Sequence, residues 1–295
     1  MGSGGKMPYS QISKTCKKYV IYILAALIVL YVLVPYAWLV LSSISTKVEL
    51  TSVPLQWIPS HPTLDNYLNI FMGRSNSTSD AASQFKSALA NSAVISVSVT
   101  AIAIIIGVLA AYSFARFKFK GRKTSFLLVL LTQMIPPIAI IIPLYMLMLK
   151  FKLMDSKISL IIIYLSLILP FIIWIMKGYM ASIPVELEEA ARIDGCSRMK
   201  TFFRIVLPLS SSGLASTTIF AFIIAWNEFF YAMNFTTTLN AKTLPVVITE
   251  FSSKFGADYI MTCTVGVIAS LPPVLLALVF QKYIIAGLTA GAVKG

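Results

Sequence analysis

Ser182-Ile183-Pro184-Val185-Glu186-Leu187-Glu188-Glu189-Ala190-Ala191-Arg192-Ile193-Asp194-Gly195, running on to Ile205-Val206-Leu207-Pro208, is a polar stretch lodged between two apolar ones. It predicts helix, glycine, helix. Pro184 suits a first helical turn, where its missing N–H is no loss, and Glu186, Glu188 and Glu189 then lie at the positive end of the helix dipole. Gly195 supplies the stop, Ser197 caps a second, basic helix carrying Arg198, Lys200 and Arg204, and Pro208 forbids its continuation. Leu187, Ala190, Ala191 and Asp194 recur at helical spacing. That face is nearly stripped of bulk and fits a groove on another protein.

The surroundings of this stretch place it in a membrane. The chain has 295 residues, 58% hydrophobic and only 12% charged, with a mean hydropathy of +0.84, far from the roughly 25% charged of a soluble domain. A net charge of +13 suggests nucleic acid at first sight, but the basic residues are scattered between apolar runs and form no stripe. Cys16, Cys196 and Cys263 have neither the count nor the spacing of a disulfide frame or zinc site.

Apolar runs over residues 19–43, 88–115, 125–149, 158–180, 210–235 and 259–285 each approach or exceed the roughly 20 residues that cross a hydrocarbon core. The predicted fold is all-α, a polytopic membrane protein with six transmembrane helices. Residues 1–18 are a polar, basic arm without fold, opening on a Gly/Ser leader with Met7 a candidate start. Counting Lys and Arg between the runs gives sixteen on the side holding both termini and residues 182–208, against eight on the other. Both termini and the loop are therefore expected in the cytoplasm. This divides the chain into the arm 1–18, a transmembrane domain 19–285 containing the loop 182–208, and a tail 286–295. The largest external segment, 44–87, is too small for a domain. Residues 64–71 are expected to lie flat at the interface, His61 to be solvated, and Asn76-Ser77-Thr78 matters as a glycosylation triplet only in a eukaryotic secretory route.

Interruptions inside the spans mark candidate bends at Pro136-Pro137, Pro143, Pro170 and Pro272-Pro273. Glu228 is the one acid within an apolar run, where a charge costs about 2.5–3.5 kcal/mol at mid-bilayer. A structural hydrogen bond is favoured for it over a place on a translocation path, and Gln133 and Asn227 are similar polar candidates. One histidine and few membrane acids leave little material for proton relay or metal chemistry. A secondary transporter and a membrane enzyme are the alternatives this disfavours.

Glu189-Ala190-Ala191, Gly195, Ile205, Leu207 and Pro208 reproduce the EAA-x3-G-x9-I-x-LP signature, so the stretch resembles the coupling loop of ABC importer permeases. Pro62-Thr63-Leu64-Asp65-Asn66-Tyr67, Tyr112-Ser113-Phe114-Ala115-Arg116, Trp226-Asn227-Glu228-Phe229 and Thr243-Leu244-Pro245-Val246 are similar to the carbohydrate branch of that family. The C-terminus from Gly287-Leu288-Thr289 to Lys294 is similar to that of its maltose-type second subunit. The resemblance implies a multi-pass protein of the bacterial cytoplasmic (inner) membrane importing a sugar. Its implied partners are a homologous second permease, two ATPase subunits, an external sugar-binding protein and membrane lipid. ATP and Mg would be bound by the ATPases, since this chain has no GxxxxGK[ST] loop and no cofactor of its own. Glu189, Ala190, Ala191, Asp194, Gly195, Ile205, Leu207 and Pro208 would couple to the ATPase, and the tail would dock onto it. Permeases for an amino acid, a peptide or glycerol phosphate are the alternatives within the class.

Overall fold

The computed structural model describes residues 9–73, 81–253 and 256–290, with side chains placed over 17–73, 81–251 and 258–283. In chain order its helices are α1 (Tyr9–Ser43), α2 (Lys47–Leu50), α3 (Asp65–Met72), α4 (Ala81–Arg116), α5 (Arg122–Leu131), α6 (Pro137–Lys150) and α7 (Lys157–Ser182). Then follow α8 (Glu186–Ile193), α9 (Arg198–Thr201), α10 (Leu207–Leu209), α11 (Ser211–Trp226), α12 (Phe230–Phe235), α13 (Leu244–Glu250) and α14 (Tyr259–Ala290). A two-residue antiparallel pairing of Ser252–Ser253 with Gly256–Ala257 is the only sheet among the described residues. Among the described residues four helices are long and apolar enough to span alone, and two bent pairs bring the number to six if each pair crosses once.

The bundle is built inside out. On α4, Ser92, Ser96, Thr100, Ala103, Gly107 and Ala111 recur every three or four residues and are all buried, while Val94, Val97, Ile105 and Ile106 point outward. Lipid tails are as apolar as isoleucine, so helices associate through small residues that let backbones approach. A Cβ on Gly107 would come within 2.6 Å of Ile172 on α7, and one on Gly213 of α11 would enter the Tyr179 ring. Ile95, Val99, Tyr164, Ile168, Ile172 and Met176 complete the α4–α7 core. By contrast, none of the most apolar stretch of α1 is buried, and its far end meets α14 through a Tyr36–Ser270 hydroxyl contact of 2.9 Å.

Several expectations change. The described part of the arm is helical: from Tyr9, ten residues before the apolar run, the α1 backbone is formed, because Ser, Gln and Lys extend a helix already nucleated. The expected span 125–149 is broken, with a 98° bend between Arg122–Met134 and Pro137–Lys150. Ile135 is extended, as a residue before proline tends to be, and Pro137 opens α6. Pro143, Pro170, Pro272 and Pro273 lie inside uninterrupted helices instead. The run 210–235 is two helices, parted at Asn227 to Phe229. Residues 65–72 dock on the bundle, with Ile70 fully buried and Phe71 edge-on to Phe85 at 5.4 Å. Asn76-Ser77-Thr78 lies outside the described residues.

The segments between the spans at the end of the bundle away from residues 182–208 are pinned by carboxylates and amides. Glu49 forms a capping box with Thr46 and accepts the N–H groups of Ser60 at 2.8 Å and His61 at 2.9 Å. The backbone donors of Thr46 and His61 lead in drawing its pKa down to about 2. Asp155 accepts from the N–H of Thr237 at 2.8 Å and of Thr238 at 3.0 Å, and from the Thr238 hydroxyl. Partial burial pushes that carboxyl up, but these donors outweigh it and leave its pKa lowered. Asn91 donates to the carbonyls of Leu239 and Lys242, both at 2.9 Å, and Ser92 Oγ accepts from the Leu244 N–H.

Candidate functional site

The motif stretch forms a foot beneath α4 and α7. α8 begins at Glu186, two residues later than Pro184 at N1 would require: Val185 is the cap, without a side-chain hydrogen bond, and three acids fill the first turn. α8 ends at a glycine stop, as expected. Gly195 sits at φ +81°, its N–H bonding the Arg192 carbonyl at 3.1 Å, and the Cys196 N–H bonds that of Ala191 at 2.9 Å. Open space surrounds the missing Cβ, so the requirement is torsional and not steric. Ser197 Oγ then accepts the Lys200 N–H at 3.3 Å, capping α9.

Pro208 does not end this second helix. The turn over Phe202–Val206 widens into a π-turn, in which the Leu207 N–H reaches the Phe202 carbonyl, and the chain stays helical through Pro208 to Leu209. A proline ring collides with the carbonyl four residues back, and a widened turn absorbs that collision. The chain then turns by 78° into α11. Ile205 and Leu207 are half-buried and Pro208 is exposed.

Which face of α8 points outward differs from the expected stripe. Glu189, Ala190, Asp194 and Gly195 are exposed, with Leu187 beside them and Ile193 86% exposed, whereas Ala191 turns inward and is buried. The acid facing the protein is Glu188, only 7% exposed. Tyr112 Oη donates to one of its oxygens at 2.8 Å, and Arg116 Nε is ion-paired to the other. Arg116 Nη2 also donates to the Ile183 carbonyl at 2.7 Å. The tilted rings of Tyr112 and Phe202, 4.8 Å apart, back the cluster, and Arg198 lies over Phe117. The last two turns of α4 thus hold both the entry to α8 and its inward face. Sequence reasoning placed Glu188 only at the helix dipole and missed its pairing with Tyr112 and Arg116, which ties the predicted helix to α4.

The other sequence candidates are each engaged with backbone. Gln133 donates to the Leu167 carbonyl on α7 at 2.7 Å. Asn227 closes α11 on the Ile223 carbonyl at 3.0 Å, and Glu228 accepts from the N–H groups of Tyr231 at 2.9 Å and Ala232 at 3.1 Å, capping α12. The favoured reading of Glu228 as a structural acceptor is what the geometry gives. Gly287, Leu288 and Thr289 continue the α14 backbone helix, and Lys294 lies outside the described residues. Among the described residues no cluster of His, Cys, Asp and Glu could hold a metal ion.

A family model described as "binding-protein-dependent transport system inner membrane component" matches residues 103–290, which include the whole foot and its tethers on α4. The chain belongs to this family. This inner membrane component is 34% identical, over 93% of both chains, to the sulfoquinovosyl glycerol transport system permease protein of Agrobacterium fabrum. It is 37% identical to the trehalose/maltose transport system permease protein of Thermococcus litoralis, covering 95% of this chain and 98% of that one. Its fold is that of a chain from a bacterial ABC transporter that imports the acidic polysaccharide alginate, with a TM-score of 0.74 at 21% identity over 95% and 99% of the two chains.

Proposed function

We propose that this chain is a permease subunit of an ATP-driven importer for a carbohydrate, an oligosaccharide first of all. The observation that carries the substrate class is the near full-length similarity to permeases of trehalose/maltose and sulfoquinovosyl glycerol transport. The chain forms half of a translocation pathway with a homologous permease, receives sugar from an external binding protein, and works with two ATPase subunits that bind ATP and Mg. Both termini and residues 182–208 face the cytoplasm, in keeping with the Lys and Arg asymmetry.

The foot enters the ATPase. Glu189, Ala190, Asp194 and Gly195 make the contact, flanked by exposed Leu187 and Ile193. Ala191, Ile205, Leu207 and Pro208 hold the shape behind them. Closing of the ATPase pair on ATP displaces the foot, and the contacts must differ between the two states, because a contact equal in both shifts no equilibrium. Gly287, Leu288, Thr289 and Lys294 add a second attachment.

The test is uptake of labelled sugars, competed by other sugars and by amino acids, in proteoliposomes of the reconstituted complex. Competition by amino acids or peptides alone would overturn the substrate class. Gly195→Pro removes the Arg192 bond and cannot adopt φ +81°, so it and Glu189→Lys should abolish stimulated ATP hydrolysis and uptake while insertion persists. Normal values for both would remove the foot from the mechanism.

A further inference from the structure

From the surface around the α4–α5 turn we infer that Lys118, Lys120, Arg122 and Lys123 form a binding site for the phosphate headgroups of anionic phospholipid. The eight residues 117–124 hold these four cations and no acid. Lys118, Lys120 and Lys123 are exposed, and neither ion pair among the described residues includes any of the four. Arg122 reaches only the Ala115 carbonyl, at 3.4 Å. Residues Lys118 to Thr124 line a concavity of about 590 Å³, ample for a phosphodiester.

Position decides the ligand class. α5 has no buried residue, and directly after Ser125 its surface becomes apolar through Phe126, Leu127, Leu128 and Leu131. Leu127 and Leu128 are more than half exposed, which in this family of membrane proteins sets them against hydrocarbon or another span. Lys123 is four residues before Leu127, about 6 Å along a helix axis, and the headgroup layer is roughly 5–8 Å deep on each side of the core. The cations therefore stand at the level of the lipid phosphates. Lys177 of α7, its ammonium 3.5 Å from the Phe126 centroid, reinforces the site from the neighbouring helix, and exposed Phe119 between Lys118 and Lys120 supplies an interfacial aromatic. The uncapped first turn of α5 adds its amides to the same positive end. This inference requires a membrane protein but not the importer reading, so either can fail alone.

The full chain in nanodiscs, with spin-labelled phosphatidylglycerol and phosphatidylcholine, gives the ratio of their association constants. At low salt the wild type should prefer phosphatidylglycerol by about two- to fivefold, and the preference should shrink at high salt. Lys118→Gln/Lys120→Gln/Lys123→Gln should bring it close to unity, while Lys150→Gln/Lys152→Gln, at the α6–α7 turn, should keep most of it. Lys120→Gln alone, half-way between, covers the case of a poorly folded triple variant. A wild-type ratio of one, or equal losses in both sets, overturns the site. Displacement of the labelled lipid by millimolar glycerol phosphate makes it a soluble phosphate site instead. Loss of the ATPase from the triple variant with its lipid preference intact makes the turn a protein contact.

Discussion

Arg116→Ala strips Glu188 of its cation and the Ile183 carbonyl of its donor in one step. Removing one member of a buried ion pair costs about 3–5 kcal/mol, because the other charge stays in the protein without its partner. Tyr112 still donates to Glu188 at 2.8 Å, which argues for the lower end. At about 3 kcal/mol the ratio of docked to undocked α8 should fall roughly 150-fold. Hydrogen exchange of the full chain in nanodiscs reads this directly: amides of 188–196 should exchange about a hundredfold faster, while the Ile168 to Met176 stretch of α7 keeps its protection. Arg116→Ala/Glu188→Gln should recover much of the loss, because no unpaired charge is left buried. In proteoliposomes the single variant should hydrolyse more ATP per sugar imported, a ratio that a mere fall in folded protein would leave alone. Exchange at α8 within threefold of wild type would refute the tether.

Gly213→Ala should lower thermal stability by about 1–3 kcal/mol, as its methyl must enter the Tyr179 ring, and Gly213→Ala/Tyr179→Leu should restore part of it in a melting assay. Glu49 holds its segment through a carboxylate whose folded pKa is about 2, so that contribution is whole above the ordinary Glu value near 4.3 and lost as pH falls towards 2. Limited proteolysis of residues 47–63 should therefore accelerate between pH 4.3 and 2, and Glu49→Gln should be cleaved quickly and independently of pH. An impermeant thiol reagent added outside should modify Ser77→Cys and spare Ser197→Cys in a background without native cysteines, and the reverse pattern would invert the topology.

The chemistry that punctuates the chain was legible in the sequence: Gly195 as a stop, Ser197 as a cap, and Pro136-Pro137 as a break all hold. What pattern left hidden was direction. Glu188 and Glu189 are neighbours about 100° apart on a helix, and which one turns inward depends on where Tyr112 and Arg116 arrive from a helix some seventy residues earlier. The break at Asn227 was masked because apolar residues continue on both sides, though an acid placed to accept the Tyr231 N–H three residues on is a capping signal in itself. The stripe of small residues from Ser92 to Ala111 also stood in the sequence, and read as membrane packing it identifies the buried face of α4.

α4 is a single proline-free helix of 36 residues. Toward its N-terminal end Asn91 and Ser92 grip the Leu239 to Leu244 segment, and its last residue, Arg116, grips the foot. The grips are 25 residues apart, about 38 Å of continuous helix. In the proposed coupling such a rod scarcely shortens, so a push applied to α8 is delivered at the Leu239 to Leu244 segment as a displacement of similar size, without relay through the broken α5–α6 limb. In mechanical terms α4 is a connecting rod with a pin at each end, and the stiffness of the machine is set by its weaker pin.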